Sequence, residues 1–211
     1  MSDHVPVIPY AAELGRKALH LGALVIPATM LVVGREWSVA ILVPLALFGT
    51  AWDLARLRWR PLYDFTDRLF GPIMRPEERP AFGAPFRLNG ATWMCLSAAL
   101  CALLFPIPIA AAALVMLMVG DGAAAVVGRK FGRMHYPGSP KSVEGSAAFF
   151  ATALLAAWPL TWWPEPGLAP LVLVVGAAVA AAIEAVPFPI NDNLRVPLVA
   201  GAAMALLVGF G

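Results

Sequence analysis

The sequence predicts an all-α, polytopic integral membrane protein with about seven transmembrane helices and a cytoplasmic N-terminus. Of its 211 residues, 60% are hydrophobic and only 13% are charged, and the mean hydropathy is +0.77. Soluble domains have roughly a quarter of their residues charged. Apolar stretches near spanning length recur along the chain, and the basic residues are concentrated in alternate connecting segments, a pattern typical of membrane topology.

Each apolar stretch is close to the roughly 17 to 25 residues that one helix needs to cross a bilayer. A more polar stretch precedes the first, and no convincing small-residue cleavage site follows it, so we do not expect a cleaved signal peptide. Without internal repeats or a soluble segment, the sequence favours one integral membrane domain over residues 1–211. The predicted spans are 17–34, 37–55, 89–105, 107–128, 144–163, 167–185 and 195–210.

The distribution of cations predicts the orientation. With the N-terminus inside, the cytoplasmic segments hold all 15 Lys and Arg residues except Arg35. This bias predicts a cytoplasmic N-terminus, an external C-terminus and therefore an odd number of spans. The net charge of +2 thus reflects topology, and no basic run with interleaved aromatic residues suggests nucleic-acid binding.

The polar motifs flank the predicted cytoplasmic ends, which indicates that any chemistry faces the cytoplasm. In "ELGRKALHLG" (13–22) the residues Glu13, Arg16, Lys17 and His20 have helical spacing on one face. This pattern is typical of an interfacial salt-bridge stripe, and His20, deeper in the membrane, is equally a candidate functional group.

The motif "GDGAAAVVGRKFG" (120–132) places Asp121 inside an apolar run. A carboxylate at a membrane helix centre costs roughly 2.5 to 3.5 kcal/mol, so we interpret Asp121 as functional, paired either with a basic side chain or with a divalent cation; a purely structural ion pair is the alternative. Small residues follow every four positions, which allows close approach of another helix or of a phosphate. They are Gly120, Ala124, Gly128 and Gly132.

The segment "SPKSVEG" (139–145) predicts a helix start, with Ser139 as N-cap, Pro140 at the first helical position and Lys141 and Ser142 in the first turn. Free backbone N–H groups beside a lysine form an anion site. Cations precede it at Arg129, Lys130 and Arg133. The loop therefore suits a polyphosphate, although a basic loop that only obeys topology would look the same, and no Walker loop is present.

Four carboxylates are expected near the cytoplasmic face, enough to hold Mg²⁺ against nucleotide phosphates. They are Asp121, Glu144, Glu184 and Asp192. Asn193 is interpreted from its position as a helix cap. Asp53 and Arg56, three residues apart, are interpreted as a structural pair.

Taken together, "ELGRKALH", "GATW", "GDGAAAVVGRKFG", "PKSVEGS" and "DNLRVPL" resemble the CTP-dependent lipid-alcohol kinases, which include dolichol, phytol, and diacylglycerol or polyprenol kinases. The middle motifs are shared with phosphatidate cytidylyltransferases, but the ending "NDNLRVPL" favours the kinases. The resemblance implies transfer of the γ-phosphoryl group of CTP, with Mg²⁺, to a polyprenol, phytol or diacylglycerol at the cytoplasmic face of a bacterial-type inner membrane.

The resemblance also implies roles for individual residues. Asp121 would hold Mg²⁺ or orient the acceptor hydroxyl, with His20 as a base and Lys17 beside it; Glu144, Glu184 and Asp192 would be further metal ligands. The segment 61–74, with Leu62, Phe65, Leu69 and Ile73 near helical spacing, is either an interfacial helix beside a lipid entrance or a plain membrane anchor. The alternative function from another class is an ion-coupled transporter. The implied nucleotide-binding residues are Gly128, Arg129, Lys130, Lys141, Ser142, Gly145 and Asn193.

Overall fold

The computed structural model describes residues 21–74, 78–164 and 167–209, and within these ranges the chain is helical without a β-strand. Two short 3₁₀ segments, Gly71–Ile73 and Trp158–Trp162, extend the second and fifth helices. The α-helices are α1 (Val25–Arg56), α2 (Arg60–Phe70), α3 (Gly90–Leu104), α4 (Ile107–Phe131), α5 (Val143–Ala157), α6 (Pro170–Ala185) and α7 (Asp192–Gly209).

The apolar helices make this a multi-pass membrane protein, but their lengths do not reproduce the predicted count of seven spans. Among the described residues, four segments are long and apolar enough to cross a bilayer: α1, α4, α5 with its 3₁₀ extension, and α7. Two apolar helices are shorter, because α3 has 15 residues and α6 has 16. At 1.5 Å per residue these cover about 23 Å, less than the roughly 30 Å of a hydrocarbon core.

Most of the first two predicted spans falls within α1, which begins at Val25 and is broken at Gly34, while residues 17–20 of the first span lie outside the described residues. The backbone of Gly34 has φ 77° and ψ −175°, a conformation that only glycine adopts without strain. Ile26 and Phe48 line the same cavity, whereas a straight helix between them would span about 33 Å. Arg35, next to the break, donates to the carbonyl of Leu103 at the far end of α3. The chain therefore folds back at Gly34.

Helix α4 forms the centre of the bundle and packs against α1, α3, α5, α6 and α7. Most of its first half is buried, with every side chain from Ile109 to Met118 in the core except Val115. Small residues allow the close contacts: a Cβ on Gly120 would lie 2.7 Å from the ring of Phe149 in α5. The alanine-rich and glycine-rich composition of the core thus serves helix packing in the membrane.

The end of α1 is held by the pair predicted as structural. Asp53 and Arg56 are buried and joined at 2.8 Å, and Arg56 also donates to the carbonyl of Glu78 at 3.2 Å. Asp53 accepts from the backbone and side-chain N–H groups of Asn89 at 2.9 and 2.8 Å. Asn89 in turn caps α3 by accepting from Thr92 at 2.9 Å. This network fixes the start of α3 against α1.

Candidate functional site

The motifs at the end of α4 and the start of α5 meet through a contact between glycines. A Cβ on Gly145 would lie 3.1 Å from the carbonyl oxygen of Ala124 and 3.2 Å from the hydroxyl of Ser142. A Cβ on Gly128 would lie 3.2 Å from the same hydroxyl. The four-residue repeat of small residues therefore joins the two motifs, and Gly128 and Gly145 lie where the backbones approach.

The helix after the basic loop begins three residues later than predicted. Ser142, not Ser139, is the N-cap of α5, and its hydroxyl accepts from the N–H of Gly145 at 3.1 Å. The hydroxyl of Ser139 accepts from the N–H of Lys141 at 3.2 Å, within the preceding turn. A β-bridge between His135 and Ser142 closes this loop and keeps Lys141 outside the helix. Ser142 is buried, and its hydroxyl is engaged in capping the first turn of α5.

Lys141 connects the loop to the ends of two other helices. Its ammonium group lies 3.0 Å from the Glu184 carboxylate and 2.9 Å from that of Asp192, and it also donates to the backbone carbonyl of Glu184. Glu184 ends α6 and Asp192 begins α7. Residues 51 positions apart in the sequence thus form one ionic cluster, with a carboxylate on each side of the lysine.

Arg195 also belongs to this cluster, although the sequence indicates it only as one of the cations on the predicted cytoplasmic side. Its guanidinium lies 2.6 Å from Asp192, donates to the carbonyl of Val186 at 2.8 Å and stands 5.5 Å above the Phe188 ring. The spacing of Asp192 and Arg195, three residues apart on one helix, was the available signal. Lys141, Glu184, Asp192 and Arg195 are called the ionic cluster below.

The predicted four-carboxylate magnesium site is not assembled in this arrangement. Glu184 is buried, and Asp121 and Asp192 lie close enough for their charges to act on it. Glu144 instead accepts from the N–H of Met134 at 3.3 Å, within the loop. In the described part of the chain no group of three His, Cys, Asp or Glu residues is placed to hold a metal. Mg²⁺ commonly binds one or two carboxylates plus substrate phosphates. The carboxylate oxygens of Asp121, Glu184 and Asp192 are ligands of the kind that Mg²⁺ prefers.

The remaining predicted residues differ in their positions. Arg129 and Lys130 are exposed in the last turn of α4, where Lys130 stands 5.3 Å from the Phe131 ring. Lys17 and His20 lie outside the described residues.

Asn193 is not the cap of α7. The side chain of Asn191 accepts from the N–H of Asn193 at 2.9 Å, while the amide of Asn193 donates to the carbonyl of Gly90 at 3.3 Å. Asn193 thereby ties the start of α7 to the start of α3.

A cavity of about 540 Å³ lies on the other side of Asn193, between α1, α2 and α3. Apolar side chains such as Phe48, Leu69 and Met94 form most of its wall. The motif patterns did not predict it, because it is built from segments far apart in sequence. Its polar lining includes Trp52, Thr66, Glu78, Asn89, Thr92 and Asn193.

Comparison with known proteins finds distant relatives. No protein-family model matches the chain, and no solved structure matches it. An uncharacterized protein of Rickettsia prowazekii is 29% identical, over 88% of this chain and 90% of its own length. The CTP-dependent diacylglycerol kinase 1 of Schizosaccharomyces pombe is 27% identical, over 93% and 94% respectively. A probable chloroplastic phytol kinase of Triticum aestivum is 36% identical over 48% of this chain and 38% of its own. These similarities confirm the resemblance drawn from the motifs: the chain is related to the CTP-dependent lipid kinases.

Proposed function

We propose that the protein is a CTP-dependent lipid kinase that transfers the γ-phosphoryl group of CTP to the hydroxyl of a long-chain alcohol. The observation that carries this proposal is the adjacency of two unlike compartments. Asp192 belongs to the ionic cluster, while the next residue, Asn193, lines the apolar cavity. A kinase for lipid alcohols requires a charged site for a polyphosphate beside an apolar site for the acceptor.

The membrane topology proposed for this enzyme has seven passes, with the N-terminus and the site in the cytoplasm of a bacterial-type cell. The fold-back at Gly34 supports two passes, over the predicted spans 17–34 and 37–55, and α3, α4, α5, α6 and α7 supply the other five. The ionic cluster and the exposed cations of α4 lie at helix ends assigned to the inside by the positive-inside rule. That side is also where nucleotides are available.

The proposed chemistry consists mainly of positioning and charge neutralisation, because phosphoryl transfer requires little covalent participation by the protein. Arg129 and Lys130 are exposed cations that would attract the triphosphate. Lys141, in the loop that follows α4, contributes a further positive charge and is fixed by two carboxylates. The close contact of Gly128 with Gly145 holds the two motifs in register and leaves little room for side chains there.

Mg²⁺, when bound with CTP, would supply neutralisation of the phosphate charge, and one or two of the carboxylates Asp121, Glu184 and Asp192 would hold it. Asp121 is the carboxylate of this set that lies on α4, seven residues before Gly128. Glu144 has a structural role instead. Its carboxylate accepts a hydrogen bond from the N–H of Met134 and so orders the loop that carries Lys141. His20 is proposed as a base, with Lys17 beside it.

The test is a reaction of the purified, detergent-solubilised protein with phytol, a polyprenol and diacylglycerol, each supplied with Mg²⁺ and either CTP or ATP. We expect CDP and a phosphorylated lipid in equal amounts, with CTP preferred over ATP. Failure of every lipid alcohol to yield a phosphorylated product with CTP would refute the proposal. A Lys130→Met variant provides a control with one cation fewer and the ionic cluster intact, and we expect it to weaken CTP use without abolishing transfer.

A further inference from the structure

We propose that the cavity between α1, α2 and α3 binds the hydrocarbon chain of the acceptor, and that Glu78 and Asn193 receive its hydroxyl end. This inference rests on the proposed function for the identity of the occupant, a long-chain alcohol. The sequence motifs do not include Glu78, and the resemblance gave Asn193 to the nucleotide.

The cavity of about 540 Å³ is lined chiefly by apolar and aromatic side chains, among them Ile26, Phe48, Phe65, Leu69 and Met94. Binding sites for small molecules are typically cavities of roughly 300 to 1,000 Å³ with mostly apolar walls and a few polar groups that set orientation. Such a wall suits a hydrocarbon chain and does not suit a triphosphate.

The cavity has a polar end that includes Glu78 and Asn193. The Glu78 carboxylate oxygen Oε1 lies 3.0 Å from the position that a Cβ on Gly90 would take, and the amide nitrogen of Asn193 lies 3.8 Å from that position. A carboxylate and an amide therefore converge above the one residue at the start of α3 that has no side chain. A hydroxyl placed there has an acceptor in Glu78 and a donor or acceptor in Asn193.

The chain connects the cavity directly to the ionic cluster. Consecutive Cα atoms are about 3.8 Å apart, so Asn193 at the cavity is directly attached to Asp192, which contacts Lys141 at 2.9 Å. The cavity thus ends next to the proposed phosphate site. An alcohol whose chain lies in the cavity has its hydroxyl directed to that site, while a chain bound elsewhere on the bundle does not.

Helix α2 connects the cavity to the outer surface of the bundle. Phe65, Leu69 and Phe70 of α2 line the cavity and are also exposed, at 53%, 57% and 42%. The opposite side of α2 carries ion pairs, such as Arg79 with Asp67 at 2.7 Å. An amphipathic helix of this kind lies at a membrane interface. Its apolar side chains join the cavity to surrounding lipid, which favours an occupant that arrives from the membrane over one that arrives from water.

Cys95 provides a direct test because it lines the cavity, whereas Cys101 is fully buried. The rate of Cys95 alkylation by a maleimide is measured in the unmodified protein, with Cys95→Ser giving the background. We expect phytol to slow alkylation at least five-fold, and an alkane of equal length to slow it less. No slowing at phytol concentrations that saturate phosphoryl transfer would overturn the inference.

A pair of matched substitutions gives a second test. Ala91 lines the cavity, and Ala151 is an exposed alanine of α5 away from it. Ala91→Phe should raise the KM for the lipid alcohol at least ten-fold and leave the KM for CTP within two-fold, and Ala151→Phe should change neither. Equal effects of the two substitutions on the lipid KM would contradict the inference.

The two tests distinguish failure of this inference from failure of the proposed function. Transfer to lipid without Cys95 protection would place the acceptor elsewhere and leave the kinase assignment intact. Protection of Cys95 by phytol without any transfer from CTP would establish a lipid-alcohol site and refute the kinase assignment. Protection by the alkane as strong as that by phytol would show that the polar end does not recognise a hydroxyl.

Discussion

Replacement of Lys141 by methionine should destabilise the protein through its ionic cluster. The ammonium group contacts Glu184 at 3.0 Å and Asp192 at 2.9 Å, and the three side chains are 25%, 8% and 38% exposed respectively. Removal of one partner from a buried pair costs about 3 to 5 kcal/mol, because the other charge is left uncompensated. Exposed pairs contribute about 0 to 1 kcal/mol.

The cluster lies between these limits, since Glu184 is buried while Asp192 is accessible to water and keeps Arg195 at 2.6 Å. We therefore expect Lys141→Met to lower the free energy of unfolding by about 2 to 3 kcal/mol. For a chain of this size, about 2 to 4 °C accompanies each kcal/mol. The midpoint of thermal unfolding in detergent should fall by about 4 to 12 °C.

Two further variants test the size and the cause of this destabilisation. Lys130→Met removes an exposed cation and should change the free energy of unfolding by no more than about 0.5 kcal/mol. The double variant Lys141→Met with Glu184→Gln removes the uncompensated buried charge, and it should be at least about 1 kcal/mol more stable than Lys141→Met alone. A shift for Lys141→Met no larger than that for Lys130→Met would refute the reasoning, as would a double variant less stable than the single one.

Three other predictions test the site, the packing and the topology. Asp121→Asn should retain folding but lose phosphoryl transfer on the order of 100-fold or more, because the shape is preserved while the charge is deleted. Gly120→Ala should destabilise the protein by about 1 to 3 kcal/mol, since its Cβ would lie 2.7 Å from the Phe149 ring, whereas Gly122→Ala meets nothing within 4 Å and should be neutral or slightly stabilising. A cysteine at Gly138 in the Cys95→Ser background should resist an impermeant thiol reagent in intact cells and react after permeabilisation.

Each of these predictions has a contradicting result. Normal transfer by a well-folded Asp121→Asn protein would remove that carboxylate from the site. Equal thermal midpoints for the Gly120→Ala and Gly122→Ala proteins would contradict the described contact between α4 and α5. Labelling of position 138 from outside the cell would reverse the proposed orientation and with it the argument for a cytosolic nucleotide.

The apolar pattern was sufficient to predict the helices, because the membrane restricts each hydrophobic run to one helical form. The predicted stretch 89–105 corresponds to α3 (Gly90–Leu104), and 107–128 corresponds to most of α4. The pair of Asp53 and Arg56 was also predictable, since residues three apart on a helix are neighbours and the structure joins them at 2.8 Å.

The features that the sequence did not predict depend on contacts between distant segments. The sequence near Lys141 does not show that its ammonium group lies between Glu184 and Asp192, because the packing of α5, α6 and α7 brings the three side chains together. The sequence predicts Ser139 as the cap of α5 because Pro140 follows it at a position where proline is favoured, whereas the bridge from His135 to Ser142 holds this stretch outside the helix and Ser142 is the cap. The cavity likewise arises from the fold-back of α1.

The most direct test of the proposed function follows two labels of CTP in one reaction, one in the γ-phosphoryl group and one in the cytosine ring. A kinase leaves CDP and transfers the γ-label to the lipid alcohol, while a cytidylyltransferase releases pyrophosphate and transfers the ring label. With phytol, a polyprenol or diacylglycerol as acceptor, we predict that the γ-label enters the lipid extract and the ring label stays in the aqueous phase. Ring label in the lipid, with γ-label in pyrophosphate, would contradict the assignment as a kinase.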